Sequence, residues 1–168
     1  MFMKNILTLF FISLLMGTVV FAQTNKETSL DYFNKGMVKY NSADYIAAIQ
    51  ELNKAIDLNP NFTQAYLFRG IMKLALKDYR GSINDCTKSI ELNPSISRSF
   101  KVRGDSKLAL EDFNGAIQDY NKAIEFDEKN EFSYFNRGNA KGKLNDYRGA
   151  IQDYNLAIQL NPKVNYIY

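Results

Sequence analysis

Eight Lys and Arg side chains recur at matched spacing along this chain and are the first candidates for chemistry. Lys35, Arg69, Arg103 and Arg137 stand 34 residues apart, and so do Lys39, Lys73, Lys107 and Lys141. A third series of the same period carries carboxylates: Glu51, Asp85, Asp119 and Asp153. Cations in such register either bind a polyanion or pair with those carboxylates. The internal copies favour pairing, because the copy with Lys35 in place of Arg is also the copy with Glu51 in place of Asp. Guanidinium forks suit carboxylates, whereas polyanion binding needs many unpaired cations. The expectation is a ladder of ion pairs between helices, with Arg103 serving stability rather than ligand affinity.

The other reactive side chains offer less. The chain has no His, which removes the commonest general base and metal ligand. Its single Cys, Cys86, excludes an intrachain disulfide framework. Cys86 shares its register with Leu52, Tyr120 and Tyr154, so it reads as a buried, inert thiol. The remaining Asp and Glu residues read as helix caps, ion pairs and solvated faces. No nucleophile stands at the spacing of a base, and there is no metal cluster or phosphate loop. Neither a catalytic role nor a cofactor or metal is expected.

An apolar run, Ile6 to Ala22, precedes these series without a charge and follows Lys4. It ends Val20-Phe21-Ala22 before the polar stretch Gln23 to Thr28, the pattern of a signal peptide cut after Ala22. The alternative is an uncleaved anchor, for which 17 residues is at the short limit of roughly 17–25. Membrane contact is expected only in that case. Both readings place the remainder outside the cytoplasm, periplasmic or secreted. Removing residues 1–22 takes away Lys4 and leaves 20 basic against 18 acidic residues, a net +2. So near-neutral a chain gives no whole-chain argument for nucleic acid.

What positions the ladder is an internal repeat. Gly36, Gly70, Gly104 and Gly138 keep the 34-residue period, as do Ile49, Ile83, Ile117 and Ile151, and Ile56, Ile90, Ile124 and Ile158. A fixed period in this range marks a repeat architecture. By period the units are 29–62, 63–96, 97–130 and 131–164, after a linker at 23–28. Apolar steps of three and four occur twice per unit, predicting two helices. Asp44, Asp78, Asp112 and Asp146 stand between them as N-caps. Asn59-Pro60, Asn93-Pro94 and Asn161-Pro162 end the second helix, and Glu128 in place of Pro softens the third boundary. Gly36 with Ala48, Gly70 with Ser82, Gly104 with Ala116 and Gly138 with Ala150 let each helix pair approach closely. One unit alone cannot bury its apolar face; stacked units can.

These residues resemble the tetratricopeptide repeat. An aromatic at the fourth place (Tyr32, Tyr66, Phe100, Tyr134), Gly at the eighth, Ala or Ser at the twentieth and twenty-seventh, and Pro at the thirty-second all fit over 29–162. The seventh place departs from the usual Leu toward the Arg-Gly variety of bacterial repeats, and the eleventh carries Lys for the usual Tyr. The resemblance implies an all-α, right-handed solenoid of four helix-turn-helix repeats that binds a protein or peptide in a concave groove. Its second, fifth, ninth and twelfth places imply groove residues Leu30, Phe33, Met37 and Tyr40, then Gln64, Leu67, Ile71 and Leu74. Arg98, Lys101, Asp105 and Leu108 follow, and lastly Phe132, Phe135, Asn139 and Gly142. The third unit is charged and the others greasy, so a peptide with apolar anchors and an acidic residue near Arg98 and Lys101 would complement them. Chaperone-binding members hold a terminal carboxylate with Lys and Asn where this chain has Phe33, Met37 and Phe68, and with Lys and Arg where it has Arg98 and Val102. A carboxylate clamp is therefore not expected.

After Pro162 the sequence reads as the start of a further repeat, without the polar cap that solenoids normally carry. A second role is thus open: an envelope assembly subunit, a homo-oligomer joined through Ile158, Tyr166, Ile167 and Tyr168.

Overall fold

Residues 27–163 of a computed structural model are described here, and among them the secondary structure is eight α-helices and no strand. They alternate in length, 13 residues then 14. The pairs are α1 (Ser29–Asn41) with α2 (Tyr45–Leu58), α3 (Thr63–Ala75) with α4 (Tyr79–Leu92), α5 (Ser97–Ala109) with α6 (Phe113–Phe126), and α7 (Glu131–Lys143) with α8 (Tyr147–Leu160). The segments 1–22 and 164–168, on which the signal and further-repeat readings rest, lie outside the described residues.

Each turn inside a pair is built by backbone rules. The carboxylates of Asp44, Asp78, Asp112 and Asp146 accept the N–H of Ala47, Gly81, Gly115 and Gly149, capping the second helix as expected. The same four aspartates also close the helix before them. Asp44 N–H donates to the Lys39 carbonyl while Ala43 N–H donates to that of Tyr40, and the three other turns repeat both bonds. This is a Schellman motif, which requires a left-handed residue just past the helix. Ala43, Lys77, Glu111 and Asn145 occupy it with φ of 59° to 65°.

The second helices end alike. The side chains of Asn59, Asn93 and Asn161 accept the N–H two residues on, at Asn61, Ser95 and Lys163. Asp127 does the same for Lys129. The softening expected at Glu128 is therefore absent: α6 has the same 14 residues as its counterparts, because the Asp127 carboxylate replaces the Asn carboxamide in the turn.

Close approach within a pair depends on the repeated Gly. A Cβ on Gly36 would sit 3.2 Å from Leu52, on Gly70 2.8 Å from the Cys86 Sγ, and on Gly104 2.9 Å from the Tyr120 ring. The expected facing residues Ala48, Ser82 and Ala150 contribute their carbonyl oxygens near Gly36, Gly70 and Gly138, so large and small neighbours share the contact. Between units the contact is small against small. Ala55 and Ala65 are both fully buried in the first core cluster. Ser89 and Ser99 share a hydrogen bond of 2.8 Å at the matching junction, and Ser106 donates to Ser82 at 2.8 Å. The buried apolar residues form successive clusters along the stack, one around Leu52 and Met72, one around Leu67, Cys86 and Val102, and one around Tyr120 and Ala140. Among the described residues no helix is long and apolar enough to cross a membrane.

Candidate functional site

The first helices of the pairs form the inner side of the curve. α3 touches α5 and α5 touches α7 directly, whereas no second helix makes a comparable contact with another. Side chains at the second, fifth, ninth and twelfth places share one face of each inner helix, because steps of three and four return to the same side.

Six of the expected groove residues surround one hollow of about 500 Å³: Ile71 and Leu74 on α3, Arg98, Lys101 and Asp105 on α5, and Phe132 on α7. Phe132 is 47% exposed and Arg98 is exposed, its guanidinium 5.3 Å above the Phe68 ring. Lys101 is held by Asp105 at 2.7 Å. Asp105 is satisfied three ways, since it also accepts from the Tyr120 hydroxyl at 2.9 Å and the Asn136 amide at 2.8 Å. Burial, followed by the charge of Asp105, holds the Tyr120 hydroxyl well above the usual tyrosine range, so it remains a hydrogen-bond donor.

A second hollow of about 580 Å³ lies further along, lined in part by Leu108, Phe113, Asn139, Gly142 and Tyr154. Gly142 opens it: a Cβ there would find nothing nearer than 3.9 Å, whereas Tyr40, Leu74 and Leu108 fill the matching places. Asn139 accepts the Tyr154 hydroxyl at 2.9 Å, and the Phe135 ring lies 5.5 Å from that of Tyr154.

At the amino-terminal end the expected groove residues divide differently. Leu30 is exposed, as is Gln64, and Met37 is half-buried. Phe33 packs on Phe62 at 5.0 Å and Phe68 at 5.8 Å, and Tyr40 packs on Tyr45 and Phe68. Leu67 is only 5% exposed, sealed with Cys86 and Val102, and so belongs to the core rather than to a binding face. Phe62 and Phe68 were not among the expected site residues. Their signal was available in the sequence as two further aromatics beside the fourth-place Tyr66, but only packing turns them toward Phe33.

The ion-pair ladder forms in three of the four units. Arg69 grips Asp85 through Nε (2.9 Å) and Nη2 (2.6 Å), and Lys73 adds a contact of 2.8 Å. Arg103 and Lys107 hold Asp119, and Arg137 and Lys141 hold Asp153, in the same geometry. Each guanidinium reaches back with Nη1 to the preceding unit, to Asn53, Thr87 and Asn121. The first unit departs from the expectation. Lys35 pairs with Glu27, and Glu51 with Lys54. Among the described residues no helix pair stands before α1 to offer a second partner, and Lys lacks the fork that holds two partners at once. With their donors satisfied, the three arginines are structural. Cys86 is fully buried, and burial pushes its thiol up to about 12, which keeps it protonated and unreactive.

Of the expected assembly residues, Ile158 on α8 is 43% exposed; Tyr166, Ile167 and Tyr168 lie outside the described residues. Among the described residues no group of three or more His, Cys, Asp or Glu is placed to hold a metal ion.

Paired helices of fixed length, stacked with a repeated Gly contact and lining a curved inner face, define a helical-repeat solenoid. Comparison with known families agrees. Tetratricopeptide repeat models match residues 32–62 and 132–164, and a TPR repeat model matches 104–145. The chain belongs to the tetratricopeptide repeat family. No curated protein matches it. Among solved structures it is similar to MamA, residues 41 to the end, from Desulfovibrio magneticus RS-1, at 19% identity and a TM-score of 0.77, over 86% of this chain and 81% of that one. It is similar also to the Arabidopsis OM64 tetratricopeptide domain, at 21% identity and 0.68, over 69% and 96%. The first such domain of Spaghetti (RPAP3), solved with the HSP90 peptide SRMEEVD, aligns at 23% identity and 0.68, over 70% and 96%. At these identities the likeness concerns the fold. Membership of the tetratricopeptide repeat family, whose members are generally non-catalytic interaction scaffolds, supports a protein–protein interaction module.

Proposed function

We propose that this chain is exported and captures an extended or helical protein segment on its inner face, at the hollow between α3, α5 and α7. The observation that carries the reading is the pairing of exposed Arg98 with an apolar wall of Ile71, Leu74 and Phe132 around one concavity of about 500 Å³. Lys101 is engaged by Asp105, so Arg98 is the cation free to meet a ligand carboxylate, while Leu74 and Phe132 receive an apolar side chain beside it. The carboxylate clamp of chaperone-binding relatives does not fit, since Phe33 is packed in an aromatic cluster and Val102 is buried.

Export rests on the sequence of residues 1–22, whose uncharged run and Val-Phe-Ala ending suit a signal peptidase. Amino-terminal sequencing of the protein recovered from its native cells should begin at Gln23; a start at Met1 in the cytoplasmic fraction would refute it. For the groove, selection from a random peptide library should return sequences with an acidic residue near an apolar anchor. Arg98→Glu and Phe132→Ser should each weaken the selected peptides at least tenfold by calorimetry without lowering the melting temperature. Peptides that bind both variants as well as the parent would move the ligand elsewhere.

A further inference from the structure

The hollow between α3, α5 and α7 contains a charge that the turn it sits in does not need. Besides Arg98 and the Lys101–Asp105 pair, Asp127 lines it from the connection between α6 and α7. The thirty-first place holds Asn59, Asn93 and Asn161 in the other units and Asp127 in the third. Each Asn accepts the N–H two residues on, and Asp127 makes the same bond to Lys129 at 3.2 Å. The turn therefore requires an oxygen acceptor but no charge. Locally the charge is even misplaced, because Asp127 is the C-cap of α6, where the helix dipole favours a cation. Arg98 is likewise peculiar to this unit, its place being Leu30, Gln64 and Phe132 elsewhere. Both side chains are exposed although a described helix pair stands on either side of the third unit, so neither owes its exposure to an end of the stack.

Unlike charges lining one concavity attract each other, yet these two do not close. Arg98 lies over the Phe68 ring at 5.3 Å, and Asp127 is tied to the Lys129 backbone. Among the described residues neither makes an ion pair.

We propose that Asp127 sets the charge pattern of the captured segment. Beside its apolar anchor and the acidic residue facing Arg98, that segment carries a Lys or Arg that meets Asp127. This rests on the groove reading above and narrows it from an acidic ligand to one of mixed charge. The two protein charges are held apart in advance, so a segment bearing both signs engages them without reorganising the site. A wholly acidic segment is opposed, since a further carboxylate would be brought against Asp127.

The probe is a random dodecapeptide library displayed on phage and selected on the protein. Its consensus should hold a Lys or Arg as well as the acidic and apolar residues. Asp127→Asn keeps the turn, as the other units show, and should weaken the selected peptides about threefold by calorimetry without lowering the melting temperature. Asp127→Lys should weaken them about tenfold, because like charges then meet. Replacing the basic residue of the peptide by Gln should cost binding to the parent the same threefold and binding to Asp127→Asn nothing, a coupling that a merely structural role would not produce. Peptides weakened by Arg98→Glu yet held equally by the parent, Asp127→Asn and Asp127→Lys would overturn this proposal and leave the groove reading standing. Peptides indifferent to Arg98→Glu as well, or a library without binders, would overturn both.

Discussion

Single residues in this repeat are constrained by what the neighbouring unit supplies, and equivalent places need not be equivalent in energy. Ser99 finds Ser89 across its junction, whereas Ser133, at the matching place, faces a unit with Ala123 there and its buried hydroxyl has no partner. A buried hydroxyl without a partner costs on the order of 1–3 kcal/mol. Ser133→Ala should accordingly raise the midpoint of urea unfolding, and Ser99→Ala, which orphans Ser89, should lower it. Glycines divide in the same way. Gly104→Ala would drive a methyl into the fully buried Tyr120 ring and should cost about 1–3 kcal/mol. Gly142→Ala meets Ala150 and Tyr154 only at 3.9 Å, an ordinary contact, and should stabilise by about 0.5–1 kcal/mol through helix propensity. Thermal melts of the two variants should therefore move in opposite directions. Alignment of the four copies makes the eighth-place Gly legible. The freedom of Gly142 and the isolation of Ser133 become visible only when both sides of the contact are in view.

At the level of the element, local sequence specified almost everything. The aspartate N-caps, the two helices per unit and the breaks at Asn-Pro follow from backbone chemistry within a few residues, which is why they could be read directly. The left-handed position before each aspartate escaped notice because Gly, its usual marker, is absent there. A residue with a Cβ pays roughly 1 kcal/mol in that conformation, while Asn tolerates it better. Glu111→Gly should consequently raise stability by about 1 kcal/mol, and Asn145→Gly should change it little. Equal gains at both turns in calorimetric melts would argue against strain at Glu111. The third boundary teaches a related lesson. Pro marks the stop in the other units, yet α6 halts without it, because the Asp127 turn supplies the same hydrogen bond as Asn.

Across the whole molecule the ladder is the feature that joins units. Each Arg fork binds a carboxylate of its own unit and a side chain of the unit before, so it fixes register between layers. Arg103→Leu would leave Asp119 buried with Lys107 as its remaining partner, at a cost of about 3 kcal/mol. Lys35→Leu, at the exposed end, should leave the unfolding midpoint unchanged. If both substitutions act alike, the ladder contributes nothing beyond surface charge. The sequence alone determined the repeat, the helix pairs, the caps and the family, because these depend on period and on contacts within a few residues. Co-variation between internal copies even carried the Arg–Asp pairing. Only the tertiary structure decided which cations remain open, since Arg69, Arg103 and Arg137 are spent between layers while Arg98 faces a hollow. It likewise moved Leu67 and much of Phe33 from surface to core and sent Lys35 to Glu27. Those outcomes depend on what lies across a junction, which period by itself does not encode.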